Sequence, residues 1–259
     1  MTLAYDDSAG SGPGLVLLHS TVCDRRMWDP QIDALRGAGF RVVRCDFRGF
    51  GETPVASAPY NEAEDVVELI DALGLGLGSG SGSNAVAIVG SSHGGRVAQE
   101  IAARWPERVA RLVLVCSGSS ELEPGPALGE LWTREEAYLE AGDIDAAVDV
   151  NVASFLGPEA SEAAREHVRV MQRRAFDVQL AAGVEEQPTK DVAYSLSSIT
   201  APSLVISGAK DLPEFGYLAR RLVSQLPDAR AVELPWAGHL PTLERPAELN
   251  GLIMEFLAS

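Results

Sequence analysis

Ala85-Val86-Ala87-Ile88-Val89-Gly90-Ser91-Ser92-His93-Gly94-Gly95 decides how this chain of 259 residues is read. Five apolar residues run directly into a glycine- and serine-rich turn, which is the pattern of a strand, a tight turn and a helix start. Gly90 to Gly94 fits G-x-S-x-G, in which glycines flank a central serine because a Cβ two positions either side would collide with neighbouring backbone. Ser92 would then project from the turn at the start of a helix. There the first backbone N–H groups lack intrahelical acceptors and can receive developing negative charge.

Two further apolar runs end in residues that could serve such a serine. Ser203-Leu204-Val205-Ile206-Ser207 precedes Gly208-Ala209-Lys210-Asp211, and Ala231-Val232-Glu233-Leu234 precedes Pro235-Trp236-Ala237-Gly238-His239. The chain therefore carries a serine, an acid and a histidine in that order, each just past an expected strand end. Glu121 and Glu123 are alternative acids. His19 follows an apolar run and is expected to make structural hydrogen bonds, while His167 falls within a helical pattern.

With these motifs in place the chain resembles the α/β-hydrolase superfamily over most of its length. Leu15-Val16-Leu17-Leu18-His19-Ser20-Thr21 is similar to the family's strand and oxyanion loop, with Ser20 where glycine is usual. Asp46 to Thr53 resembles its turn after the next strand, with Thr53 where serine is commoner. Arg104 to Val109, followed by Leu112 to Val115, resembles a helix end and the family's sixth strand, and Gly238-His239-Leu240-Pro241 with Glu244-Arg245-Pro246 completes the series. The resemblance implies a serine nucleophile, Ser92, a base, His239, and an acid, Asp211, with the oxyanion held by the backbone N–H groups of His93 and Thr21. It implies hydrolysis of a carboxylic ester or lactone without a metal or organic cofactor. Serine at the nucleophile position argues against the dehalogenase and epoxide hydrolase branches, which need a carboxylate there. Leu240 departs from the tryptophan usual in carbon–carbon bond hydrolases. That reaction, acyl transfer and a small-molecule receptor without turnover are the alternatives.

The organisation agrees. Alternating β-branched runs and helical stretches predict a mostly parallel twisted sheet flanked by helices, an α/β class. The alternation breaks between 119 and 198, where apolar spacing is helical, as in Ile144, Val148, Val152 and Phe155 or Val168, Met171, Ala175 and Val178. A helical cap over 119–198 is expected, inserted into a core of 1–118 and 199–259. Gly74 to Asn84 reads as a flexible surface connection, and the short N-terminus leaves room for one strand before Leu15. Trp28, Trp132, Tyr138, Phe155 and Phe176 are expected in the core.

Charge bears on partners. The chain carries −16, and 119–198 holds 16 Asp and Glu against 6 Lys and Arg, a surplus of ten acids. Nucleic acid and anionic membrane surfaces are poor partners for such a surface, and a small neutral or cationic substrate is favoured. Arg165, Arg169 and Arg173 share a helix face with Glu162, Glu166 and Asp177 nearby, as solvated ion pairs do. Asp46 and Arg48 are expected to satisfy backbone groups and each other. Three cysteines cannot all pair; Cys45 and Cys116, at strand ends, are expected as buried free thiols, and Cys23 lacks metal-ligand spacing. No apolar run is long enough to span a membrane and no signal peptide is evident, so a cytoplasmic protein is expected.

Overall fold

The computed structural model describes residues 3–76, 84–120, 125–182, 189–190 and 192–259. Most of the connection over 74–84, and both Glu121 and Glu123, lie outside the described residues.

Seven strands form one sheet: β1 (Tyr5–Asp7), β2 (Gly14–Leu18), β3 (Arg41–Cys45), β4 (Val86–Ser91), β5 (Val109–Val115), β6 (Ser203–Gly208) and β7 (Ala229–Leu234). Their order is β1-β3-β2-β4-β5-β6-β7, with β1 antiparallel to β3 and every other pairing parallel. The inner strands β2, β4 and β6 are buried at every residue. Such unbroken apolar runs are what a parallel sheet needs when helices cover both faces. Alternate residues serve the two faces: Leu15 and Leu17 join one core, Val16 and Leu18 the other.

The helices of the layers are α1 (Asp29–Gly37) and α9 (Pro246–Ala258), α2 (Glu62–Ala72), α3 (His93–Arg104) and α7 (Pro213–Gln225). Leu35 of α1 with Leu249, Ile253 and Phe256 of α9 closes the first core. Val66 and Ile70 of α2, Val97 and Ile101 of α3, and Leu218 and Leu222 of α7 close the second. Each fully buried side chain of this size contributes about 1.5–3 kcal/mol.

Between β5 and β6 the chain forms α4 (Pro126–Glu140), α5 (Ile144–Phe155) and α6 (Glu162–Ala181). Local chemistry sets their starts. Pro126 opens α4, Asp143 accepts from the Ala146 N–H at 3.1 Å, and Ser161 accepts from the Ala164 N–H at 3.1 Å. Val148, Val152 and Phe155 of α5 and Val168, Met171 and Ala175 of α6 are buried, as their spacing predicts. Polar side chains of α6 then reach backbone carbonyl oxygens beneath it. His167 Nε2 donates to Arg26 (3.1 Å), Arg174 Nε to Gly51 (2.9 Å) and Gln179 Nε2 to Gly49 (3.2 Å). Arg169 pairs with Asp149, Glu162 and Glu166, and Arg173 with Asp145 and Asp177, whereas Arg165 instead donates to the Gly157 carbonyl at 2.9 Å.

Two further expectations are corrected. Trp132 is 48% exposed on α4, outside the core. Asp46 and Arg48 do not pair: Asp46 accepts from the Arg25 N–H (2.8 Å), the Arg25 guanidinium and the Glu52 N–H, while Arg48 forms a two-pronged bridge to Asp65 at 2.6 Å. Among the described residues no helix is long and apolar enough to cross a membrane. All three cysteines are buried and free.

Candidate active site

Ser92 sits between the end of β4 and the start of α3 with φ 52° and ψ −115°. Positive φ in a residue with a Cβ costs on the order of 1–3 kcal/mol and persists only where the surroundings enforce it. Here they do. The Ser92 N–H donates to Val115 at 3.0 Å, and its carbonyl accepts from Gly95 (3.0 Å), Arg96 (3.2 Å) and Gly118 (2.8 Å). The flanking glycines are sterically required: a Cβ on Gly90 would lie 2.4 Å from the Gly94 carbonyl oxygen, and one on Gly94 would lie 2.3 Å from that of Leu18. Ser91 is fully buried below the apex.

Asp211 follows β6 and His239 follows β7, at the same carboxyl edge of the sheet as Ser92. Just past β5, which lies between β4 and β6, comes Cys116, whose N–H donates to Ile206 at 2.8 Å. His239 Nδ1 lies 2.7 Å from Asp211 Oδ2, and each side chain is only 1% exposed. With Nδ1–H donating to the carboxylate, a neutral imidazole leaves Nε2 as an acceptor. Nε2 is buried and has no hydrogen-bond partner among the described residues, Ser92 included. Phe155 of α5 and Phe215 of α7 pack on the imidazole, with ring centroids 4.8 and 4.1 Å away.

The N–H groups of Thr21 and His93 make no hydrogen bond to the described residues. Thr21 is exposed, and the Gly94 N–H ties the elbow to the Thr21 loop by donating to the His19 carbonyl at 3.0 Å. His19 anchors that loop. Its Nε2 accepts from the Phe47 N–H at 3.0 Å and its Nδ1–H donates to the Ser20 carbonyl at 2.8 Å, while burial pushes its pKa down and keeps the ring neutral. The His93 side chain points away from any role as base, its Nε2 2.8 Å from the buried Glu62 carboxylate. Burial pushes the Glu62 carboxyl up, but the His93 hydrogen bond and the Arg96 guanidinium outweigh it and hold it below the usual range.

Sequence reading missed Phe155, Phe215 and Cys116 as neighbours of His239. Cys116 has φ 43°, and its Sγ, Asp211 and His239 offer ligand atoms within 4.8 Å of one another. Burial and the Asp211 charge push the Cys116 thiol well above its ordinary value, the direction that disfavours the thiolate.

Residues 15–252 match the alpha/beta hydrolase family. The chain belongs to the alpha/beta hydrolase family. This hydrolase is 32% identical to a structurally characterised hydrolase from Pseudomonas aeruginosa, with a TM-score of 0.78 over 99% of this chain and 94% of that one. It is 25% identical to the enol-lactonase of Burkholderia xenovorans, with a TM-score of 0.77 over 99% and 96%. It is 28% identical to the 2-hydroxy-6-oxononadienedioate/2-hydroxy-6-oxononatrienedioate hydrolase of Burkholderia vietnamiensis, over 98% of this chain and 90% of that protein. The descriptions of these relatives differ, so kinship establishes an alpha/beta hydrolase and leaves the substrate to the site.

Proposed function

We propose that this alpha/beta hydrolase cleaves a carboxylic ester or lactone of a small, neutral substrate through an acyl-enzyme on Ser92. The observation that carries this reading is the buried 2.7 Å bond from His239 Nδ1 to Asp211, which presents Nε2 as a base, combined with a serine held at φ 52° past β4 at the same carboxyl edge of the sheet. In the first step Ser92 Oγ bonds to the substrate carbonyl carbon as its proton passes to His239 Nε2. The oxyanion is received by the N–H groups of His93 and Thr21. Collapse breaks the ester C–O bond, and the departing alkoxide takes the proton from His239. Water then attacks the acyl carbon, giving a proton to Nε2, and the acid leaves as Ser92 Oγ is reprotonated. Asp211 holds the imidazole orientation and stabilises its cation throughout. Phe155 and Phe215 exclude water from the ring and strengthen that electrostatic contact. The likeness to an enol-lactonase supports a lactone as substrate.

Intact-mass measurement after incubation with a small fluorophosphonate tests the mechanism. A single adduct is expected, absent in Ser92→Ala and slowed at least about 10³-fold in His239→Ala. p-Nitrophenyl esters and simple lactones should then be turned over by the native chain and not by Ser92→Ala. A folded native chain that gives no adduct and no turnover overturns the reading.

A further inference from the structure

Five residues beyond His239, at the end of the short helix α8 (Pro241–Glu244), Glu244 turns its carboxylate back onto the histidine loop. It accepts from the Gly238 N–H at 3.0 and 3.1 Å, through Oε1 and Oε2. Burial pushes its pKa up, against the downward pull of the backbone N–H groups around it. Gly157 lies in the insertion, two residues past the end of α5. A Cβ there would sit 2.4 Å from Glu244 Oε2 and 2.8 Å from the Gly238 nitrogen, so close packing of two backbones requires glycine at this point. The junction continues through the base itself, because the His239 N–H donates to the Phe155 carbonyl at 2.8 Å.

We propose that Glu244 is a positioning residue for His239: its carboxylate holds the Gly238 N–H, packs against Gly157 and clamps the histidine loop to the end of α5. The catalytic part of this inference rests on His239 being the base. A carboxylate that takes a backbone N–H on both oxygens offers a charge-assisted bond that a neutral side chain cannot replace in full. The placement of His239 Nε2 therefore depends on the insertion as well as on the sheet. Removing the clamp lets the loop drift by a fraction of an ångström to an ångström, which is enough to slow proton transfer about 10²-fold without changing substrate contacts.

The test compares native chain, Glu244→Ala, Glu244→Gln and Gly157→Ala, each first shown to be folded by circular dichroism. Two readouts are taken: the rate of fluorophosphonate labelling and ester kcat and KM, and the low-field His239 Nδ1–H proton resonance, assigned by its loss in His239→Gln. Glu244→Ala is expected to cut labelling and kcat roughly 10²-fold with KM within about 3-fold, and to shift or broaden the resonance. Glu244→Gln, which keeps one acceptor, should recover at least about tenfold of that loss. Gly157→Ala, which drives a methyl into the clamp, should slow labelling with Glu244 intact and serves if Glu244→Ala does not fold. Unchanged labelling and an unchanged resonance in folded Glu244→Ala or Gly157→Ala overturn the proposal, as does Gln behaving no better than Ala. If the native chain is inert to the probe but the resonance still moves in Glu244→Ala, the clamp on His239 stands and its role as base falls.

Discussion

His19 and Gly94 show how single residues hold this site together. Burial lowers the His19 pKa below the ordinary imidazole value of 6.5. The unfolded chain thus binds a proton more readily than the folded one as the pH falls through that value. The stability contributed is complete above about 6.5 and is lost as the pH drops from there toward the folded value. Melting temperatures measured from pH 7.5 to 5.5, on the order of one decade either side of that value, should fall more steeply for the native chain than for His19→Gln. A second loss belongs below the ordinary carboxylate range, where Glu62, with its pKa lowered in the fold, becomes protonated. Gly94→Ala would place a methyl 2.3 Å from the Leu18 carbonyl oxygen and 2.7 Å from that of His19. Neither is the flexible end of a side chain, so the backbone must move. A cost of roughly 2–3 kcal/mol is expected in denaturant unfolding, with loss of Ser92 labelling.

Helices and strands divide into those written locally and those written by their partners. The runs Leu15–Leu18, Val86–Val89 and Ser203–Ser207 are legible because a strand buried on both faces needs apolar residues throughout; Ser92 and Asp211 stand just past two such runs, while His239 follows the mostly unburied edge strand β7. The spacing of Val148, Val152 and Phe155 likewise shows a helix. What periodicity does not carry is direction between elements: that Phe155 and Phe215 meet at His239 depends on how α5 and α7 dock, and a Phe in either reads simply as core. The same limit explains Asp46 and Arg48, adjacent in the turn yet paired with Arg25 and Asp65, 21 and 17 residues away. Helix interiors also hold room for improvement. Gly251 lies inside α9, and a Cβ there would meet nothing within 4 Å. Gly251→Ala should therefore raise unfolding free energy by about 0.5–1 kcal/mol, read from the denaturant midpoint, with labelling of Ser92 unchanged.

Over the whole molecule the charge of −16, with its acid surplus concentrated in the insertion, sets the long-range field around the carboxyl edge of the sheet. Approach of an ester bearing a carboxylate should be repelled at low salt and relieved by screening. Its kcat/KM is expected to rise several-fold between about 0.01 and 0.15 M salt, while that of an isosteric neutral ester stays constant. Equal salt responses for the two esters would show that the surplus does not reach the site. The grip of α6 has a further consequence, for how such a chain can change over generations. His167, Arg174 and Gln179 all hold backbone carbonyl oxygens, of Arg26, Gly51 and Gly49, and a carbonyl oxygen is present whatever side chain its residue bears. Substitutions beneath α6 that preserve the path of the backbone leave these attachments intact. Arg26 can therefore change without loosening His167, whereas Gly49 and Gly51, at φ 82° and 53° and with the Asp46 carboxylate 2.2 Å from where a Cβ on Gly51 would lie, are held as glycine by the backbone path itself.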